Sequence, residues 1–185
     1  NGFGSESRPH AREGVAVDSS AGNLIEGNLF ECNRAGGIFL YKNCGERIKE
    51  GKSVIRWQPS ERNEIRNNRF IGERVGVWIA ARQSRDISHM GCGDPPMDSS
   101  RRYYEDFANR NVVEDNRFCR NRVAIRVEGD ENRIQNNRFD KATRKTVELP
   151  VTKREQILKR PSKGNVISGN EVAECFDHTD RFQER

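Results

Sequence analysis

The sequence is poor in the features that announce a function. No apolar run is long enough to span a membrane. Glycine-rich phosphate loops are absent. No Cys-x-x-Cys pair occurs among the five cysteines, and His89-x-x-Cys92 lacks the two further ligands a zinc site needs, so neither a metal nor any other cofactor is expected. No signal peptide is recognisable. Apolar residues make up 33% of the chain and charged residues another 33%, a balance that ordinarily marks disorder. The charge is lopsided only mildly: 33 Lys and Arg against 28 Asp and Glu give a formal +5, which favours anionic partners without requiring them. Basic residues are interleaved with acidic ones throughout, the pattern of a solvated exterior, so neither nucleic acid nor a membrane is the expected partner.

What the sequence does have is a phrase that recurs. Asn63 to Phe70 reads Asn-x-apolar-x-x-Asn-x-Phe, and Asn23 to Phe30, Asn111 to Phe118 and Asn132 to Phe139 repeat it. Asn165 to Val172 is a fifth copy with Val at the end. The closest copies start 21 residues apart (132 minus 111), so one structural coil fits in that length and longer gaps are coils plus inserted loops. A second phrase is Gly followed by alternating apolar residues: Gly14 to Val17, Gly37 to Leu40 and Gly76 to Ile79, with Ala124 to Val127 as an Ala-led variant. Alternation with β-branched residues is a strand signal. Low overall hydrophobicity is then no obstacle, because a solenoid has a thin core and much surface.

The inward sets follow. Val15 and Val17, Ile38 and Leu40, Val77 and Ile79, Ile125 and Val127 share one face. Ile25, Ile65, Val113, Ile134 and Ile167 form a second stack, and Phe30, Phe70, Phe118, Phe139 and Val172 a third. Asn28, Asn68, Asn116, Asn137 and Asn170 line up at a bend, where stacked amides can hydrogen-bond from coil to coil and where Asn tolerates a left-handed backbone.

On these residues the chain resembles the right-handed parallel β-helix proteins of the pectate-lyase-like superfamily, in particular the shorter repeats of carbohydrate-binding and sugar-hydrolase β-helix domains. The expected fold is all-β: a single-stranded, right-handed parallel β-helix of about four to five coils with long loop insertions. One domain over residues 1–185 is expected, with a lead-in at 1–13, insertions at 42–60 and 82–110, and a tail or cap at 173–185. Asn1 in place of Met, and too few residues before Gly14 for an upstream coil, point to the C-terminal part of a longer solenoid, with end-to-end contact possible at its open first coil.

The 82–110 insertion reads as a lid folded on the solenoid, with a short Ser-capped helix over 99–107 and Tyr103 and Tyr104 needing something to pack on. A second short helix is expected over 151–159, where Thr152 to Glu155 fits a capping box. Cys44 and Cys92 lie in insertions of successive coils and are the one disulfide pair to entertain if the compartment is oxidising. Cys32 and Cys119 read as half-buried small apolar residues.

Candidate chemistry falls on the outward positions of the Gly-led strands. Ala16, Phe39, Trp78 and Arg126 form one row, and Asp18, Tyr41, Ala80 and Glu128 the next. Aromatic faces suit sugar rings, and Arg suits a carboxylate or sulfate. Phe39, Trp78, Asp18, Glu128, Tyr103 and Tyr104 are therefore the expected substrate-binding set, unless the insertions bury the aromatics. The resemblance implies polysaccharide chemistry and an extracellular or periplasmic location. A lyase or C5-epimerase of an acidic polysaccharide needs a cation to neutralise the carboxylate and a base. Arg126 and Arg82 are candidates for the first role, and Tyr41, His89, Tyr103 or His10 for the second. A non-catalytic glycan-binding or adhesive protein, and a structural segment of a longer solenoid, are the alternatives. None of the superfamily's catalytic motifs is present.

Overall fold

The computed structural model describes residues 11–175. Five successive coils each contribute three short strands. The first holds β1 (Glu13–Asp18), β2 (Leu24–Glu26) and β3 (Leu29–Glu31). The second holds β4 (Gly36–Tyr41), β5 (Glu64–Arg66) and β6 (Arg69–Ile71), and the third β7 (Val75–Ile79), β8 (Val112–Glu114) and β9 (Arg117–Cys119). Next come β10 (Val123–Val127), β11 (Arg133–Gln135) and β12 (Arg138–Phe139), then β13 (Lys145–Glu148), β14 (Val166–Ser168) and β15 (Glu171–Val172). Every third strand pairs in parallel, giving three five-stranded sheets: β1-β4-β7-β10-β13 (sheet A), β2-β5-β8-β11-β14 (sheet B) and β3-β6-β9-β12-β15 (sheet C). This is the expected parallel β-helix, at the upper end of the expected coil number.

The core is the set of stacks read from the sequence. Ile38, Val77 and Ile125 are in register and fully buried, as are Ile65, Val113 and Ile134. The phenylalanines stack nearly face to face: Phe30 on Phe70 at 4.9 Å between centroids, Phe70 on Phe118 at 4.7 Å, Phe118 on Phe139 at 5.4 Å. This stack explains the Gly near the head of the first three strands of sheet A, Gly14, Gly37 and Gly76. A Cβ on Gly76 would sit 2.7 Å from the Phe118 ring and 2.6 Å from the Ala124 carbonyl oxygen. At the last coil the stacks open: Ile167 and Val172 are exposed.

Each bend is held by a column of side-chain amides. In the expected column, Asn68 donates from its backbone N and Nδ2 to Asn116 Oδ1 (2.9 and 3.1 Å), and Asn116 does the same to Asn137 Oδ1. The Nδ2 of each also donates to the carbonyl two residues earlier. That role needs ordinary backbone, so the left-handed conformation falls one residue before the ladder Asn, on Gly27, Asn67, Asp115, Asn136 and Gly169. This corrects the expectation that the ladder Asn itself takes it. The first Asn of the phrase builds a second column, Asn23-Asn63-Asn111-Asn132-Asn165. Five residues beyond the expected column lies a third, Asn33-Glu73-Asn121, continued by Thr143 six residues beyond Asn137.

The sheet A to sheet B corner carries the long insertions. Cys44–Cys92 is bonded, joining 42–60 to 82–110. A bridge closing 48 residues is worth about 4 kcal/mol in the chain-entropy account. Lys42 Nζ pairs with Asp94 Oδ1 at 2.6 Å, and the Lys42 backbone N donates to Asp106 Oδ1. No helix forms over 99–107. Asp98 closes a turn by accepting from Ser100, Arg101 is left-handed, and Pro96 bridges Tyr104 instead. The second expected helix is present as α1 (Lys153–Leu158), with Thr152 accepting from the Glu155 N–H. It lies in a third insertion at the same corner and clamps the second: the Lys153 N–H donates to Ser84, and Arg160 pairs with Glu105. Gly129 is where the lid meets the solenoid, since a Cβ there would lie 2.1 Å from the Ala108 carbonyl oxygen. Cys32 is exposed, and Cys119 is bonded to Cys175, so neither is the half-buried free thiol that was expected.

Removing one inner rung strands both neighbours. Asn116→Ala takes the acceptor from the Asn68 backbone N–H and the side-chain donor from the Ile65 carbonyl in a buried column, at about 1–3 kcal/mol for each group left orphaned. Asn28→Ala, at the exposed outer rung, should cost much less. Urea unfolding of the two variants checks this, and equal losses would contradict the ladder.

Candidate functional site

The outward row is in the expected register: Ala16 pairs with Phe39, Phe39 with Trp78, Trp78 with Arg126, and Arg126 with Glu148. Most of it is covered. Phe39 and Tyr41 are buried in a small cluster with Val75, Ala81 and Val123. In the neighbouring row Asp18 pairs with Tyr41 as expected, but Ala80 turns left-handed into the main core and Glu128 is fully buried. The physical reason is the lid, which closes over this end of β7 and β10.

Trp78, Arg126 and Glu128 come together, but they satisfy one another. The Arg126 guanidinium lies over the Trp78 ring at 4.9 Å, occupying the face expected to receive a sugar. The Trp78 Nε1–H donates to Glu128 Oε1 at 3.0 Å, and Arg126 Nε donates to the same oxygen at 2.8 Å. Arg126 also pairs with Glu148 at 3.4 Å. The two tyrosines of the lid part company. Tyr104 is buried against Cys44, Ile87 and Cys92 as the lid's anchor. Tyr103 lies between Arg102 and Lys153, at 5.6 and 5.1 Å from its centroid. Asp18 is spent on Ser19 and Asn43.

Four candidates do meet. Phe39, Tyr41, Arg82 and His89 line one cleft of about 690 Å³ beside the first strands of sheet A. Arg12, Arg34, Arg74 and Arg85 share its walls, with Glu13 and Glu46 as its carboxylates. Arg82 stacks over the Tyr41 ring at 4.5 Å. The Tyr41 hydroxyl points to Glu13 at 3.5 Å. Burial raises the Tyr41 pKa, against the opposing pull of Arg82, so this phenol holds its proton at neutral pH and is a poor base. His10, the remaining base candidate, lies outside the described residues. Arg12, Arg34 and Arg74 form no ion pair with another described residue. The cleft is thus a cationic, aromatic-backed depression, arranged to receive anions.

Fold and cleft together define a parallel β-helix protein with an anion-receptive groove. The chain belongs to the family described as periplasmic copper-binding protein (NosD), whose sequence model matches residues 5–90 and 53–179. The two matches overlap, as a repeat that can be aligned in more than one register allows. Neither the curated proteins nor the solved structures contain a match.

The copper of the family's name finds no cradle among the described residues. They hold no group of three His, Cys, Asp or Glu able to take a metal ion. His89 and Met90 stand in the cleft, but Arg82 and Arg85 stand beside them, and Arg82 Nη1 contacts Met90 Sδ at 3.8 Å. Cys32 is the lone free thiol among the described cysteines. A cation would meet repulsion there and too few soft ligands.

Beneath the cleft, Asp106 ties the lid down. Its carboxylate accepts from the Lys42 and Arg82 backbone N–H groups at 2.8 and 2.9 Å. Complete burial raises its pKa to about 7, two backbone hydrogen bonds and Arg82 oppose the rise, and Glu128 adds to it. The folded state therefore holds a proton that the unfolded chain gives up near pH 4. Asp106 favours folding most below pH 4, and that contribution fades as pH rises to 7. The unfolding free energy from urea titrations should fall across this range, by a few kcal/mol at most, and Asp106→Asn should flatten the fall; an unchanged pH profile in the variant would contradict it. Trp78→Ala should lower the melting temperature, since it strips partners from Glu128 and Arg126. A melt unchanged within a degree or so would show that this cluster carries no stability.

Proposed function

We propose that this protein is a periplasmic β-helix protein that binds an acidic polysaccharide in the cleft around Arg82 and Tyr41. One observation carries the reading: Arg12, Arg34, Arg74, Arg82 and Arg85 converge on a cleft backed by Phe39 and Tyr41 whose carboxylates, among the described residues, are Glu13 and Glu46. Arginine forks hold carboxylate or sulfate groups in two hydrogen bonds, and aromatic walls accept the apolar faces of sugar rings. The periplasm is supported by the family's description and by two disulfides, which persist in oxidising compartments.

Lyase or epimerase chemistry is the second reading. It is favoured by Arg82 and His89 sharing the cleft, a charge neutraliser with a base. The phenol of Tyr41 speaks against it as that base.

Calorimetric titration with polygalacturonate tests the first reading. The native protein binds, and the Arg12→Gln/Arg85→Gln variant binds at least about tenfold more weakly, the worth of one charge-assisted hydrogen bond. Equal affinity in the two proteins, or no binding by either, would overturn it. Ultraviolet absorbance of an unsaturated product during the same incubation would establish the lyase, and proton NMR of the recovered polymer the epimerase.

A further inference from the structure

The third amide column differs from the other two. Asn23-Asn63-Asn111 and Asn28-Asn68-Asn116 keep Asn on every coil, but the corner between sheets C and A replaces it by Glu73 on the second coil and by Thr143 on the fourth. Glu73 keeps part of the rung. Its Oε1 accepts from the Asn33 backbone N at 3.1 Å and from Asn33 Nδ2 at 2.8 Å, and its own N–H donates to Asn121 Oδ1 at 2.8 Å. It gives up the amide donors of an Asn. It is 1% exposed, and its Oε2 has no hydrogen-bond partner. A buried carboxylate with an idle oxygen costs stability that Asn at the same rung would not.

Directly after each member of this column stands an arginine: Asn33-Arg34, Glu73-Arg74, Asn121-Arg122, Thr143-Arg144. Backbone hydrogen bonds fix the stacking, from the Arg122 N–H to the Glu73 carbonyl and from the Arg144 N–H to the Asn121 carbonyl. All four arginines are exposed, and none pairs with a carboxylate among the described residues. Elsewhere arginines do pair: Arg66 with Glu26, Arg110 with Glu131, Arg138 with Glu171, Arg154 with Asp130. Arg34, Arg74, Arg122, Arg144, Arg120 and Glu73 line a second cleft of about 730 Å³, and Arg34 and Arg74 also line the first.

We propose that this corner is an extended binding track, on which Arg34, Arg74, Arg122 and Arg144 hold successive anionic groups of a linear acidic polysaccharide laid along the solenoid axis. The inference rests on the polysaccharide reading of the first cleft and extends it. Coils are stacked about 4.8 Å apart, close to the advance of a pyranose chain per residue, so one arginine meets one acidic sugar. The first cleft takes a short acidic oligosaccharide; the track adds affinity only when the chain is long enough to run from one into the other.

Binding of galacturonate trimer and of long polygalacturonate to three variants tests it. Arg122→Gln/Arg144→Gln should weaken polymer binding about tenfold or more, leave trimer binding unchanged, and leave the melt unchanged because both side chains are exposed and unpaired. Glu73→Gln restores an amide to the column without touching the exposed arginines, so it should raise the melting temperature and leave polymer binding unchanged. Unchanged polymer affinity in Arg122→Gln/Arg144→Gln, with Arg12→Gln/Arg85→Gln still impaired, overturns the track and leaves the first cleft standing. Loss in neither double variant overturns both. Polyphosphate binding as tight as polygalacturonate overturns the assignment to a polysaccharide.

Discussion

Stacking depends on one constraint: each bend of a coil must find hydrogen-bond partners for its buried backbone without help from water. The amide columns meet it. A single Asn accepts from the coil before, donates to the coil after, and ties its own bend to the carbonyl two residues back. Phenylalanine stacking then fills the space between the columns, and Gly14, Gly37 and Gly76 near the head of three sheet A strands make room for the rings. Because these contacts are local to a rung, a coil tolerates long additions at a corner that does not interrupt it. The additions at the sheet A to sheet B corner have become a second layer, crosslinked by Cys44–Cys92 and clamped by α1.

The solenoid was legible because its signal is periodic. The five copies of one phrase name the Ile and Phe stacks and one amide column outright. The third column was not seen, since Glu73 and Thr143 break residue identity, although five-residue spacing carries it through Asn33 and Asn121. The arginine that follows each of its members was equally readable and was lost among interleaved charges. Covering of the outward row could not be read, because lid contacts such as Asp106 to Lys42 and Ala108 against Gly129 join residues with no common period. For the same reason the expected helix over 99–107 gave way to a bridged loop: the tertiary anchor at Tyr104 outweighs local helix preference. Of the expected site, Phe39, Tyr41, Arg82 and His89 share a cleft, while Trp78 and Arg126 engage each other.

Charge is distributed unevenly around the solenoid. Sheets B and C each carry an ion pair between neighbouring coils, Arg66 with Glu26 and Arg138 with Glu171. The corner between sheets C and A has arginines without such partners, and there the repeat also accepts a flaw in its own column at Glu73. Departures from an otherwise consistent pattern tend to mark functional sites. The family's name directs attention to copper, but the described residues offer anion chemistry instead.

A crystal structure of the protein with an acidic hexasaccharide tests the central claim most directly. The account predicts a chain lying along the solenoid axis at the sheet C to sheet A corner, its acidic groups on Arg34, Arg74, Arg122 and Arg144. An oligosaccharide bound across sheet A over Trp78, or at any site away from those arginines, would contradict it.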